Sequence, residues 1–130
     1  MAIRDTIKAN LDIALAAHNV SVSAELPFTS SGEPLYFKNM KHVYLDEDNI
    51  SKTELISCLD NNDVIQTQTT VTGFLSVDAK NQPTDIDTII SNILVSRNAV
   101  TNQTIKECEM ETEMDADKLL YTFNFNFITV

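Results

Sequence analysis

The chain has 130 residues, 43% of them hydrophobic, and sets 9 Lys and Arg against 19 Asp and Glu for a formal net charge of −10. That length suits one domain, with a radius of gyration of about 14 Å, and the apolar content argues against disorder despite the charge. The acidic excess argues against sequence-independent binding to DNA or an anionic membrane, which draws on clustered basic residues. With glycine only at 32 and 73, a glycine-rich phosphate loop is excluded.

Ile3, Ile7, Leu11, Ala14 and Leu15 recur at three- and four-residue steps, so residues 3–17 are expected to form an amphipathic helix. Its apolar stretch at residues 13–17, between Asp12 and His18, is far short of the ~20 residues of a membrane span. Residues 1–8 lack the charged-then-apolar layout of a signal peptide. Residues 20–24 alternate apolar with Ser as a short strand does, and Pro27, Ser30, Ser31, Gly32 and Pro34 mark a loop. Residues 35–37 read as a brief strand or extended arm, and residues 41–45 as another short strand that ends in the acidic turn Asp46, Glu47, Asp48, Asn49.

Leu55, Ile56 and Leu59 have helical spacing, so a short helix is expected over residues 51–59, followed by the turn Asp60, Asn61, Asn62, Asp63. Residues 64–77 are rich in Val, Ile and Thr without Pro, which favours a long strand with a bulge or bend at Gly73. Thr84 with Asp87 has the form of a capping box, opening a helix over residues 85–96 whose apolar face is Ile86, Ile89, Ile90 and Ile93.

Residues 105–114 alternate strictly, with Glu107, Glu109, Glu111 and Glu113 on one face and Cys108, Met110, Thr112 and Met114 on the other. After a turn at residues 115–118, residues 119–130 alternate again, placing Tyr121, Phe123, Phe125 and Phe127 opposite Thr122, Asn124 and Asn126. The two runs are expected to form an antiparallel hairpin whose Met/Cys and aromatic sides face one core. Burial of the aromatics contributes about 6–12 kcal/mol of gross stabilisation, comparable to a domain's net stability. The element order predicts an α+β fold with one mixed, mainly antiparallel sheet, two main helices packed on one face and a C-terminal β-hairpin, all in a single domain over residues 1–130. The other face would carry the Glu and Asn residues.

No constellation signals catalysis. The acids include no pair fixed across a pocket, and Asp46, Glu47 and Asp48 lack the Gly and terminal Glu of a calcium loop and read as a solvated turn. His18, placed to favour the first helix's dipole, and His42 are too few for a zinc site. Cys58 and Cys108 are isolated, which fits a reduced intracellular setting; Cys108 reads as a small core residue and Cys58 has no evident base. No catalytic, cofactor-binding or metal-ligating residue is therefore assigned, and no cofactor is expected.

The N-terminal amphipathic helix, the Val43-Tyr44-Leu45 strand, the Thr-rich strand leading into Asp78-Ala79-Lys80-Asn81-Gln82-Pro83, the second helix and the closing Tyr121-Thr122-Phe123-Asn124-Phe125 strand together resemble the tail terminator (tail completion) family of long-tailed bacteriophages. Residues 66–93 and the final aromatic run carry most of the resemblance. It implies a structural, non-enzymatic virion protein that forms a homo-hexameric ring on the head-proximal end of the tail tube and meets the head connector. The implied partners are other copies of the chain, the tail tube protein and the connector, with DNA passing through but not held tightly and no membrane contact. The implied location is the virion tail, assembled in the host cytoplasm.

Under that resemblance Glu107, Glu109, Glu111 and Glu113 are candidates to line the channel, because carboxylates would repel phosphates and let DNA slide. Phe28, Thr29, Ser30 and Ser31 are candidates for contact with a neighbouring subunit or the tube. Two other readings stay open. One is another head-tail joining, head-completion or baseplate component, and the other is a small hydrolase with an unsignalled carboxylate site.

Overall fold

A computed structural model describes residues 2–25, 27–38, 40–56 and 64–130, with the backbone alone at 38, 54–56 and 64. In chain order the elements are α1 (Ile3–Ala14), β1 (Ser21–Ser23), α2 (Leu35–Lys38), β2 (His42–Leu45), β3 (Asn49–Ile56), β4 (Val64–Asp78), α3 (Ile86–Val95), β5 (Ile105–Asp115) and β6 (Lys118–Thr129), with 3₁₀ turns at Ala16–His18 and Ser96–Ala99. The strands form one mixed sheet in the order β1-β2-β4-β6-β5. β1 runs parallel to β2 and the other pairings are antiparallel. The α+β class and the C-terminal hairpin are as the alternation predicts.

β4 and β6 pair without a slip from Thr67 opposite Thr129 to Asp78 opposite Lys118, so the pleat sends their odd-numbered residues to one side. On that side Val71, Leu75, Val77, Tyr121, Phe123, Phe125 and Phe127 are buried under Ile7, Leu11 and Leu15 from the first helix and its end, and Ile89 and Ile93 of α3. The apolar stripes of the two main helices cover this side, as their spacing requires. Beyond Leu15 the α-helix tightens to 3₁₀ geometry and stops at Asn19, whose φ of 58° is left-handed.

The other side carries a smaller aromatic cluster of Tyr36, Tyr44 and Leu120 with Leu35, Phe37 and Phe74 packed against it. Tyr36 stacks on Phe74 with ring centroids 4.7 Å apart, and that contact explains why residues 35–37 are part of the helical turn α2 and not the expected strand or arm. Lys118 holds the turn down, because its Nζ donates to the Phe37 carbonyl at 3.0 Å and lies 5.7 Å from the Phe37 ring centroid.

Three further expectations are corrected. Residues 51–56 belong to strand β3, not to a helix: Asn49 to Ile56 pair with Thr70 to Val64, and a sheet partner decides a short apolar run whose periodicity is ambiguous. Residues 57–59 of that expected helix, Cys58 and the 60–63 turn lie outside the described residues. Gly73 makes no bulge, since it pairs in register with Leu45 and with Phe123. A Cβ there would meet Leu45 Cδ2 at 3.2 Å and Phe123 Cβ at 3.7 Å, so the glycine relieves close packing between strands. The capping box also fails to form, because α3 begins after Asp85 with no side-chain cap. Asp85 instead accepts a hydrogen bond from His18 Nδ1 at 2.6 Å, tying the end of the first helical segment to the start of α3.

The acidic turn is more than a solvated connection. Asp46 N–H donates to the Thr72 carbonyl at 2.9 Å, continuing the β4 ladder between β2 and β3. Asp48 then turns its carboxylate onto the start of α1 and accepts Ile3 N–H and Arg4 N–H at 2.9 Å each. The α1 N-cap residue, Ala2, has no side chain able to do this. A carboxylate at a helix N-terminus also meets the positive end of the dipole.

Asp48→Ala is expected to cost about 1–2 kcal/mol in urea denaturation, with Asp48→Asn intermediate because one amide oxygen replaces two carboxylate oxygens. A second test concerns Asp85. Its carboxyl is held below its ordinary value of 3.8, first by the His18 hydrogen bond and also by the charges of His18 and Lys41, against partial desolvation. A depressed folded-state value stabilises above the ordinary value, and that stabilisation is lost as pH falls through the folded one. Asp85→Asn should therefore lower Tm near neutral pH, and the gap to wild type should close on acidification below the ordinary value.

Candidate functional site

The even-numbered side of β4 and β6 has no long helix over it among the described residues. Away from the α2 cluster it is a polar surface of Gln66, Gln68, Thr70 and Thr72 beside Thr122, Asn124 and Asn126. Gln68 Nε2 donates to Asn126 Oδ1 at 2.9 Å, an amide bridge across the two central strands. On the far side of β6, the β5 register places Glu107 opposite Asn126, Glu109 opposite Asn124, Glu111 opposite Thr122 and Glu113 opposite Leu120.

All four glutamates are exposed, and they line one face of an edge strand. Same-face neighbours on a strand are about 6.8 Å apart, so each adjacent pair repels by only about 0.6 kcal/mol in water and less in salt. The row therefore stands without a counter-ion. Its Glu113 end reaches the aromatic cluster, where the Tyr36 hydroxyl is pushed above its ordinary value by burial first and by the Glu113 charge second. Glu111, Thr112, Glu113 and Thr122 line a shallow depression there.

The other contact candidates lie on the same side of the sheet. Phe28 packs edge-on to Tyr36 and Phe74, with centroid distances of 6.0 and 6.4 Å, and remains 36% exposed. Thr29 closes the loop on itself: its N–H donates to the Glu33 carbonyl at 2.8 Å, its carbonyl accepts Gly32 N–H at 2.9 Å and its hydroxyl accepts Glu33 N–H at 3.0 Å. Thr29 Oγ1 and Ser31 Oγ are 3.0 Å apart, and Gly32 supplies the φ of 85° that the turn needs. Ser30 and Ser31 are the exposed tip of this hydrogen-bonded loop. The two candidate sets thus share one side of the sheet, with Tyr36 and Phe74 between them.

The Cys/Met side of β5 meets the core only in part. Cys108 is half-buried against Leu94 and Arg97, and burial pushes its thiol up to about 12, opposed by the Arg97 charge and assisted by Glu109. That thiol is inert at neutral pH, as a core residue's would be. Met110 and Met114, expected to face inward, are 38% and 66% exposed. They keep the predicted face, but α3 and its 3₁₀ extension shelter only the first half of β5.

Among the described residues, no group of three His, Cys, Asp or Glu side chains is arranged to hold a metal ion. Ser23 Oγ lies 2.6 Å from His42 Nε2, a contact that no sequence motif announces. The imidazole is stacked on Tyr44, and burial lowers its basicity against the opposing Glu25 charge. The pair ties β1 to β2 at the opposite end of the strand order from the glutamate row. The uncharged half of the open face, Gln66 to Thr72, was also unannounced; its signal was the period-two Gln/Thr alternation that reads first as strand propensity. No protein-family model and no curated protein matches the chain.

Replacing Glu107, Glu109, Glu111 and Glu113 together by Gln is expected to leave the fold intact and the urea midpoint unchanged or slightly raised, because only water-facing side chains change and their mutual repulsion is relieved. Circular dichroism over a urea titration checks this, and loss of the folded state at ordinary temperature without urea would reject the face assignment.

Proposed function

We propose that the protein is a structural, non-enzymatic component of a long-tailed phage tail, a tail terminator whose copies form a homo-hexameric ring at the head-proximal end of the tail tube. The observation that carries this reading is the open polar side of the sheet, where four outward glutamates stand in one row beside uncharged amides and hydroxyls. A ring that turns such a surface toward its lumen presents phosphates with repulsion and with weak, neutral contacts, so DNA passes without being gripped. The chain order of helix, short strands, long Thr-rich strand, helix and acidic-aromatic hairpin also supports it.

In this reading the Phe28–Ser31 loop, on the same side of the sheet and closed by its own hydrogen bonds, contacts a neighbouring copy or the tube protein. The tube and the head connector occupy the two rims of the ring. The protein resides in the virion tail after assembly in the host cytoplasm.

Native mass spectrometry and light scattering over a concentration series should give a closed ring that joins purified tail tubes. A strict monomer that also fails to join tubes would sink the proposal. The lumen role is tested separately by replacing the four glutamates with Lys. Particles should assemble yet deliver DNA poorly, and normal infectivity would reject that role.

A further inference from the structure

We propose that the outer edge of β5 accepts an added β-strand from another protein, a segment with Lys or Arg at alternate positions and apolar residues between them. It does not rest on the ring reading, but the cations of such a strand would neutralise the glutamates to which that reading gives the lumen. It starts from backbone chemistry: among the described residues β5 ends the strand order and pairs only with β6, so every second residue directs its N–H and C=O outward with no described strand to receive them.

Proteins usually blunt such edges by making them short, by interrupting their register or by placing Lys or Pro on them. The other two edges follow that practice. β1 has three residues, and β3 carries exposed Lys52 and a register shift between Glu54 and Ile56. β5 also carries charges, Lys106 and its acidic residues, but it is the longest of the three edges, its 11 residues pair with β6 in unbroken register and it includes no Pro.

The two faces of β5 define the occupant. Residues opposite one another on neighbouring strands share a face, so an added strand sets every second side chain beside Glu107, Glu109, Glu111 and Glu113. Its alternate side chains fall on the side of exposed Met110 and Met114, beyond a shallow groove of mixed lining, Leu94 and Cys108 among the charged Arg97, Lys106, Glu107 and Glu109. The first set calls for cations, and the second for apolar groups where it meets Met110 and Met114. A second copy of β5 is a poor occupant, since antiparallel pairing about a two-fold axis perpendicular to the sheet preserves the faces and places glutamate against glutamate.

The probes are two peptides of identical composition, Lys-Val-Lys-Val-Lys-Val-Lys and Lys-Lys-Lys-Lys-Val-Val-Val, titrated into the full chain and followed by NMR and amide hydrogen exchange. The alternating peptide should bind about tenfold more tightly than the block peptide, a gap that register and not charge alone must supply. It should also slow exchange at alternate amides of β5. The variant carrying Gln at all four glutamate positions should lose most of that affinity and its salt dependence, and Glu109→Gln with Glu111→Gln should lose part of both. Equal binding of the two peptides, protection outside β5, unchanged affinity of the Gln variants or no binding at all would each overturn the proposal. Self-association through β5 would overturn it as well, by making a second copy the occupant, whereas a ring closed through other surfaces leaves it standing.

Discussion

The unbroken antiparallel pairing of β4 with β6 is the constraint on which the rest of the molecule depends. Because side chains alternate with a period of two, one register decides that Phe123, Phe125 and Phe127 go inward with Val71 and Leu75 while Asn124, Asn126, Gln68 and Thr70 go outward. A slip of one residue would exchange the sides and bury the amides. The fully buried rings, at about 1.5–3 kcal/mol each, hold the register against that slip. Gly73 belongs to the same constraint, since a side chain there would press on Leu45 in one neighbouring strand and Phe123 in the other.

On the opposite flank of β4, the interruption at residues 46–48 couples the sheet to the helical layer. β2 and β3 occupy successive stretches of the same side of β4, and the chain leaves the ladder between them just long enough to put Asp48 over the first turn of α1. The helix then lies across the sheet with Ile7, Leu11 and Leu15 inward. At its far end, His18 reaches Asp85 at the start of α3, so polar contacts anchor both ends of this helical segment. Apolar burial sets how strongly the layer adheres, and these charged contacts set where it sits.

Legibility in the sequence followed the range of the deciding interaction. The C-terminal hairpin and the amphipathic helices were readable because their evidence is local and repeats over many residues, from Glu107 to Glu113 and from Ile86 to Ile93. β3 was not, because Leu55 and Ile56 fit either period until β4 supplies a partner. The capping expectation at Thr84 failed for a related reason. A local motif was outweighed by His18, 67 residues away from Asp85, just as Asp48 acts on Ile3 from 45 residues away. Within the candidate site, the glutamate row was legible as a row and as a face. Its place on an edge strand, beside an uncharged Gln/Thr surface and near Tyr36, follows from strand order, which no single segment encodes.

Alternation also separates what stabilises this fold from what its surface offers. Of the 19 acidic residues, five are concentrated on one face of β5, the four glutamates and Asp115, where water screens their repulsion, while the opposite face of the same strand contributes Cys108 to the core edge. The central strands repeat the division, with aromatics inward and neutral amides outward. Surface chemistry on the open side can therefore vary without disturbing the packing that fixes the register. The reverse does not hold: any change that weakens the Phe123–Phe127 packing loosens the register and with it the alignment of glutamates beside Asn124 and Asn126. The acidic row is an ordered surface only as long as the aromatic ladder behind it holds.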